Sequence, residues 1–165
     1  MKHLFSFFMI ALMGLFVVSC DNSDDRGGGT DYDTYPVMRD ATGTFNASNG
    51  YTLTQSITMS SSDVALVYRN INSGQGGSAV WQLIPKTEYL SDGRELDYNF
   101  LFNNQSVEIY TEANFDQAAM SSSEKTLYLN NQTFRIVLVP ASSSAATMDH
   151  SNYNAVMGAL KADLK

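Results

Sequence analysis

Asp92-Gly93-Arg94-Glu95-Leu96-Asp97-Tyr98-Asn99-Phe100-Leu101-Phe102 is the stretch whose pattern decides the fold. Leu96, Tyr98, Phe100 and Phe102 alternate with Glu95, Asp97 and Asn99, the period of two that gives a strand one dry face and one wet face. The alternation fails only at Leu101. Asp92-Gly93 supplies the positive φ angles of a tight hairpin, so Lys86 to Leu90 is expected to be the partner strand. Working outward, Asn49-Gly50 carries the same turn signal and predicts a second hairpin, between Thr42 to Asn46 and Tyr51 to Thr58.

Phe134-Arg135-Ile136-Val137-Leu138-Val139-Pro140 is apolar on both faces apart from Arg135, the pattern of a central strand ended by proline. Asp63 to Ile71, Ala79 to Ile84, Val107 to Glu112 and Lys125 to Leu129 are expected as further strands. Turn signals recur near residues 49, 75, 92, 104 and 131 without βαβ alternation. Together they predict a mainly β chain, an antiparallel β-sandwich or barrel-like domain. At the end, Tyr153, Val156, Met157, Leu160 and Leu164 form the stripe of one C-terminal amphipathic α-helix, with Asp149 or Ser151 as its cap. Packing of that stripe on the sheet is favoured over a free partner-binding helix.

The amino terminus has a different character. Lys2 precedes a fifteen-residue apolar run from Leu4 to Val18, followed by Ser19 and Cys20. This is the layout of a secretory signal. As a helix the run would reach roughly 22 Å, short of the roughly 30 Å hydrocarbon core of a bilayer, so removal is expected rather than retention. Val17-Val18-Ser19-Cys20 resembles the bacterial lipobox, which implies cleavage between Ser19 and Cys20 and acylation of the Cys20 sulfur. The resemblance accounts for an odd cysteine: Cys20 is the only one in the chain, and a lone thiol in a secreted protein otherwise has no partner. Several acyl chains, palmitate among them, hold a protein at a membrane far more firmly than one.

Residues 20 to 36 are acidic, rich in glycine and poor in anything to bury, so they are expected to form a flexible tether after the signal of residues 1 to 19. Ser23-Asp24-Asp25 resembles the acidic export signal that sends lipoproteins of the Bacteroidota to the outer face of the outer membrane. The competing reading is a solvated leash, which would leave the periplasmic face open as the location. Asp31 and Asp33 lack the later Glu and the central Gly of a calcium loop. Removing residues 1 to 19 of 165 leaves 146 and changes the net charge from −7 to −8 through loss of Lys2. That length suits a single domain, placed at residues 37 to 165, with a core that needs neither disulfides nor metal. The negative balance and scattered Lys and Arg exclude a general nucleic-acid binder.

The chain as a whole is similar to short, uncharacterised lipoproteins of flavobacteria. The similarity is carried by Val64 to Arg69, Trp81-Gln82-Leu83-Ile84-Pro85, Tyr89-Leu90, Asp92-Gly93, Tyr98-Asn99-Phe100, Phe134 to Ala141, and Tyr153 with Val156. Some members place a collagen-like Gly-x-x repeat after the lipidated cysteine, where this chain has only Gly27-Gly28-Gly29. The resemblance implies an anchored extracytoplasmic β domain in contact with outer-membrane lipid through Cys20. It brings no catalytic, cofactor or metal residues.

Gly74-Gln75-Gly76-Gly77-Ser78-Ala79 fits a dinucleotide-binding fingerprint, with Glu95 about twenty residues on. That mechanism requires a helix next, and Ala79 to Pro85 reads as a short strand. His150 is the only mature histidine, too few for a triad or a multi-histidine zinc site, and is expected on the surface. Glu88, Glu95, Asp97, Glu108 and Glu112 lie on candidate strands and would be the acids of a glycoside hydrolase, the minor reading. Tyr51, Tyr68, Trp81, Tyr89, Tyr98, Tyr110 and Tyr128 are the material for an aromatic platform binding glycans or peptides. Strand parity, however, directs Trp81 and Tyr98 to the core. The preferred expectation is a non-catalytic binding or accessory module whose partner is an envelope protein or a glycan.

Overall fold

The computed structural model describes residues 38–163, so the expected signal and tether, with Leu164, lie outside the described residues. Eight strands form two antiparallel four-stranded sheets. Strands β1 (Met38–Gly43), β3 (Val64–Asn70), β4 (Trp81–Leu83) and β8 (Gln132–Val139) make the first, in the order β1-β8-β3-β4. Strands β2 (Thr52–Ser56), β5 (Lys86–Tyr89), β6 (Glu95–Phe102) and β7 (Ser106–Ala113) make the second, in the order β2-β7-β6-β5. The chain is therefore mainly β, and its two sheets are those of a sandwich.

The alternation in β6 does what its period requires. Leu96 and Tyr98 are fully buried between the sheets, facing Val67, Phe134 and Ile136 from the other side. Phe45 meets Tyr98 and Phe134 edge to face, and Tyr98 and Phe134 are tilted against each other, with ring centroids 5.8 to 6.3 Å apart. The pattern decays along the strand: Leu101 is exposed on the outward parity of Asp97 and Asn99, and Phe102, at the end of β6, is exposed although it has the inward parity. Asp92-Gly93 joins β5 to β6 as expected, with φ of 60° and 71°, and Lys86 pairs with Tyr98.

The expected hairpin at Asn49-Gly50 does not exist. Gly50 does take the left-handed conformation, but the turn follows a short 3₁₀ segment capped by Asn46. It carries the chain from one sheet to the other, so β1 pairs with β8 and β2 with β7. A dipeptide fixes the local φ, not which sheet the next strand joins.

Lys125 to Leu129 is a second correction. Ser121 and Glu124 form a capping box, and helix α1 (Ser122–Tyr128) runs through residues expected as a strand. Ser-x-x-Glu is a helix-start signature, and here it outweighs the β propensity of Thr126 and Tyr128. The C-terminal helix α2 (Tyr153–Ala162) lies where expected, but its cap is Asn152, which accepts from the Ala155 amide, rather than Asp149 or Ser151.

Helix α2 makes the domain three layers deep. Leu66, Tyr68, Val137 and Val139 on the outer face of the first sheet pack against Val156 and Leu160 of α2 and against Ala145. Strand β8 is thus buried on both faces, which is why Ile136 to Val139 is apolar at consecutive positions. The stripe of α2 is core packing, and Val156 and Leu160 are at most 1% exposed.

One cation sits inside the sandwich. Arg69, 3% exposed, donates from Nε and Nη2 to Gln132 Oε1 at 3.0 and 2.8 Å, and from Nη2 to the Leu127 carbonyl at 3.1 Å. Its Nη1 meets Glu88 at 2.9 Å, and the guanidinium lies 4.3 Å from the Tyr98 ring centroid. Gln132 in turn donates to the carbonyls of Leu127 and Asn130. Arg69 therefore ties both sheets to the carboxyl end of α1, where a positive charge is favoured by the helix dipole. Burial raises the Tyr98 hydroxyl well above its ordinary pKa, so it stays protonated and donates to the Tyr128 carbonyl.

Candidate functional site

Helix α2 covers only part of the outer face of the first sheet. Beside its amino terminus a groove of about 790 Å³ opens, lined by Val80, Trp81, Arg135, Asp149, Tyr153 and Asn154 among others. Strand β8 contributes Arg135, the one polar residue in its apolar run, at a register position beside Asp40 of β1 and Tyr68 of β3. Strand β4 contributes Trp81, α2 contributes Tyr153, and the loop before α2 contributes Asp149.

Arg135 organises these groups. Its Nε and Nη2 donate to the two carboxylate oxygens of Asp40, each at 2.7 Å, and its Nη1 donates to the Tyr153 hydroxyl at 2.6 Å. The guanidinium carbon lies 4.3 Å from the Trp81 ring centroid, within cation–π range. The bidentate bond to Asp40 raises the Arg135 pKa above its ordinary value, so the charge is permanent. Trp81 and Tyr153 have ring centroids 5.9 Å apart and planes 35° apart, and Tyr153 also meets Tyr68 edge to face at 5.1 Å. Each ring is thus braced from behind and half-exposed towards the groove.

Asp149 holds its carboxylate by accepting from the Ser151 amide and hydroxyl through Oδ1. The Ser151 hydroxyl above all lowers its pKa, and the acid stays ionised. His150, expected on the surface, is half-buried: its carbonyl accepts from the Tyr68 hydroxyl and its Nε2 lies 3.0 Å from the Ala145 carbonyl. Burial pushes the Tyr68 hydroxyl up to about 12.

The expected aromatics do not share one plane. Tyr68 and Tyr98 are buried, on the two opposite sides of the first sheet. Tyr51 and Tyr128 are half-buried against the inter-sheet core, Tyr110 lies on the far face of the second sheet, and Tyr89 on edge strand β5 is 76% exposed. Trp81 keeps the parity of Leu83, but the face they share is the one under α2, not the inter-sheet core. Tyr153, assigned by its spacing to a helix stripe, completes the pair with Trp81. Arg135 was visible only as the odd residue of a buried strand.

Four of the five candidate acids, Glu95, Asp97, Glu108 and Glu112, share the outer face of the second sheet, and Glu88 alone turns inward. Glu88 turns inward to Arg69, Asp97 accepts from Thr87, and Glu112 accepts from Asn99. Asp97 and Glu112 are cross-strand neighbours on the outer face of the second sheet, while Glu108 pairs with Leu101 and Glu95 with Tyr89. Gly74, Gly76 and Gly77 all have positive φ in a loop between antiparallel strands, and the strand β4 follows where a dinucleotide fold needs a helix. Among the described residues, no group of three or more His, Cys, Asp or Glu is placed to hold a metal ion. Ser19, Cys20, Ser23, Asp24, Asp25, Asp31 and Asp33 lie outside the described residues.

No helix among the described residues is long and apolar enough to cross a membrane. Comparison with family models, curated proteins and solved structures finds no match to this chain.

Proposed function

We propose that this chain is a lipid-anchored cell-envelope lipoprotein whose β domain is a non-catalytic binding module, contacting its ligand at the groove between Trp81 and the start of α2. The anchor is Cys20, acylated after cleavage behind Ser19, in the outer membrane. Ser23-Asp24-Asp25 directs the domain to the cell surface.

The observation that carries the binding reading is the Trp81–Arg135–Tyr153 cluster. Two half-exposed rings and a fully ionised arginine are held in fixed geometry by Asp40 and Tyr68 at the rim of a groove. Holding long polar side chains in one conformation costs entropy, and rigid aromatic contact area is what recognition surfaces use. Glu88 is engaged by Arg69, Asp97 by Thr87 and Glu112 by Asn99, which favours binding over the hydrolase reading.

Metabolic labelling with an alkyne palmitate tests the anchor. The native chain is expected to take up label and partition with membranes, and Cys20→Ala to lose both; a labelled or membrane-retained Cys20→Ala chain overturns the assignment. Replacing Asp24 and Asp25 by Ala is expected to protect the domain from protease added to whole cells. Unchanged cleavage would reduce those acids to a leash.

A further inference from the structure

We infer that the groove takes a neutral oligosaccharide, an inference that rests on the binding-module reading above. Three facts about spare hydrogen-bonding capacity and charge lead there. First, Arg135 spends three of its five N–H groups on Asp40 and Tyr153. Two donors remain, on a cation whose charge is already matched by a bidentate carboxylate. Second, the Tyr153 oxygen accepts from Arg135, so its own proton is free to donate, and accepting a charge-assisted bond makes it a better donor. Third, Asp149 accepts through Oδ1 alone, and Oδ2 has no partner among the described residues.

The groove therefore offers neutralised donors, an ionised acceptor and two rings set 35° apart. A sugar hydroxyl is both donor and acceptor and satisfies both kinds of site, while the C–H face of a pyranose ring covers an aromatic face. Asp40 and Asp149 against Arg135 leave the site one negative charge in excess, and no lysine lines it. An anionic ligand such as a uronate would meet a spent guanidinium and an unpaired carboxylate. The excess charge would suit a basic peptide, but such a ligand leaves the free donors of Arg135 and Tyr153 facing its own cation.

The test is retention of the detergent-solubilised full mature chain on beads bearing a β-glucan, a xylan or a galactomannan, with polygalacturonate and oligolysine beads as comparators. Retention is expected on at least one neutral polysaccharide and on neither charged probe. Trp81→Ala should bring it to background, Tyr153→Phe should weaken it about tenfold through loss of one buried hydroxyl bond, and Asp149→Asn should weaken it to a similar degree. Tyr153→Phe and Asp149→Asn leave the packing intact and keep the test valid where Trp81→Ala does not fold. Retention only on a charged probe, lost in the same variants, overturns the neutral sugar while the groove stands as a binding site. Neutral retention unchanged in all three variants overturns the groove as well, and no retention on any bead overturns the inference.

Discussion

Replacing Arg69 by Met keeps the methylene stem and removes the guanidinium from the centre of the sandwich. Gln132, 0% exposed, then loses the cation that donates two bonds to its Oε1. A buried acceptor stranded in this way costs about 1–3 kcal/mol, and the lost stacking on Tyr98 adds about 1 kcal/mol. Glu88 adds little, because at 24% exposure it can turn to water. The expected loss is about 2–4 kcal/mol. The reverse truncation, Glu88→Ala, leaves Arg69 buried without its counter-charge. Breaking a buried pair costs about 3–5 kcal/mol when nothing else holds the ion, and Gln132 and Leu127 still do, so about 2 kcal/mol is expected. In an Arg69→Met background Glu88→Ala should cost almost nothing, giving a coupling of about 2 kcal/mol. Urea titration reads these values, with fluorescence of Trp81, the only tryptophan, and far-UV circular dichroism as paired probes. At a slope of about 2 kcal/mol/M, Arg69→Met should move the midpoint down by about 1–2 M. A shift below about 0.5 M, or additive single and double variants, would refute the placing of Arg69 as the tie between the sheets and α1.

Other perturbations separate the layers. Leu160→Ala should cost about 2–5 kcal/mol, since the residue is 1% exposed in the core under α2; the Trp81 emission should shift red while the strand signal persists, and an unshifted spectrum would mean that α2 does not shield the groove. Glu124 is held down at about 2, first by Arg94 and then by Ser121. Its folded-state pKa lies below the unfolded one, so its contribution is complete above about pH 5 and is lost as the pH falls towards 2; Glu124→Gln should flatten the acid limb of a melting-temperature profile. Tyr68 has the opposite sign: its pKa is raised to about 12, so the stability it supports is intact below pH 10 and lost as the pH climbs through 12. Tyr68→Phe should blunt that alkaline loss, and a profile identical to the native one would place the titrating group elsewhere.

How legible the chain was depended on the range of the interaction. Period-two alternation in β6 and the double-faced apolar run of β8 are local properties of side-chain order, so burial followed from them almost residue by residue. Asp92-Gly93 succeeded and Asn49-Gly50 failed for one reason: both set backbone dihedrals, but only the first is followed by a strand in the same sheet. The capping box at Ser121 and Glu124 is legible in the sequence, and in the fold it prevails over the β-prone residues after it. The groove was less visible. Trp81 and Tyr153 are 72 positions apart, and Arg135 and Asp40 are 95 apart.

The sequence by itself determined the fold class, the hairpin at Asp92-Gly93, the buried central strand, and the signal-like run ending at Cys20. These follow from patterns within one strand, one turn or one apolar run. Only the tertiary structure decided that β8 is flanked by β1 and β3, that Arg69 lies inside the sandwich, and that Trp81, Arg135 and Tyr153 meet at one groove. Those facts depend on which faces come together, and a one-dimensional pattern carries the face of a residue but not its neighbour across the layer.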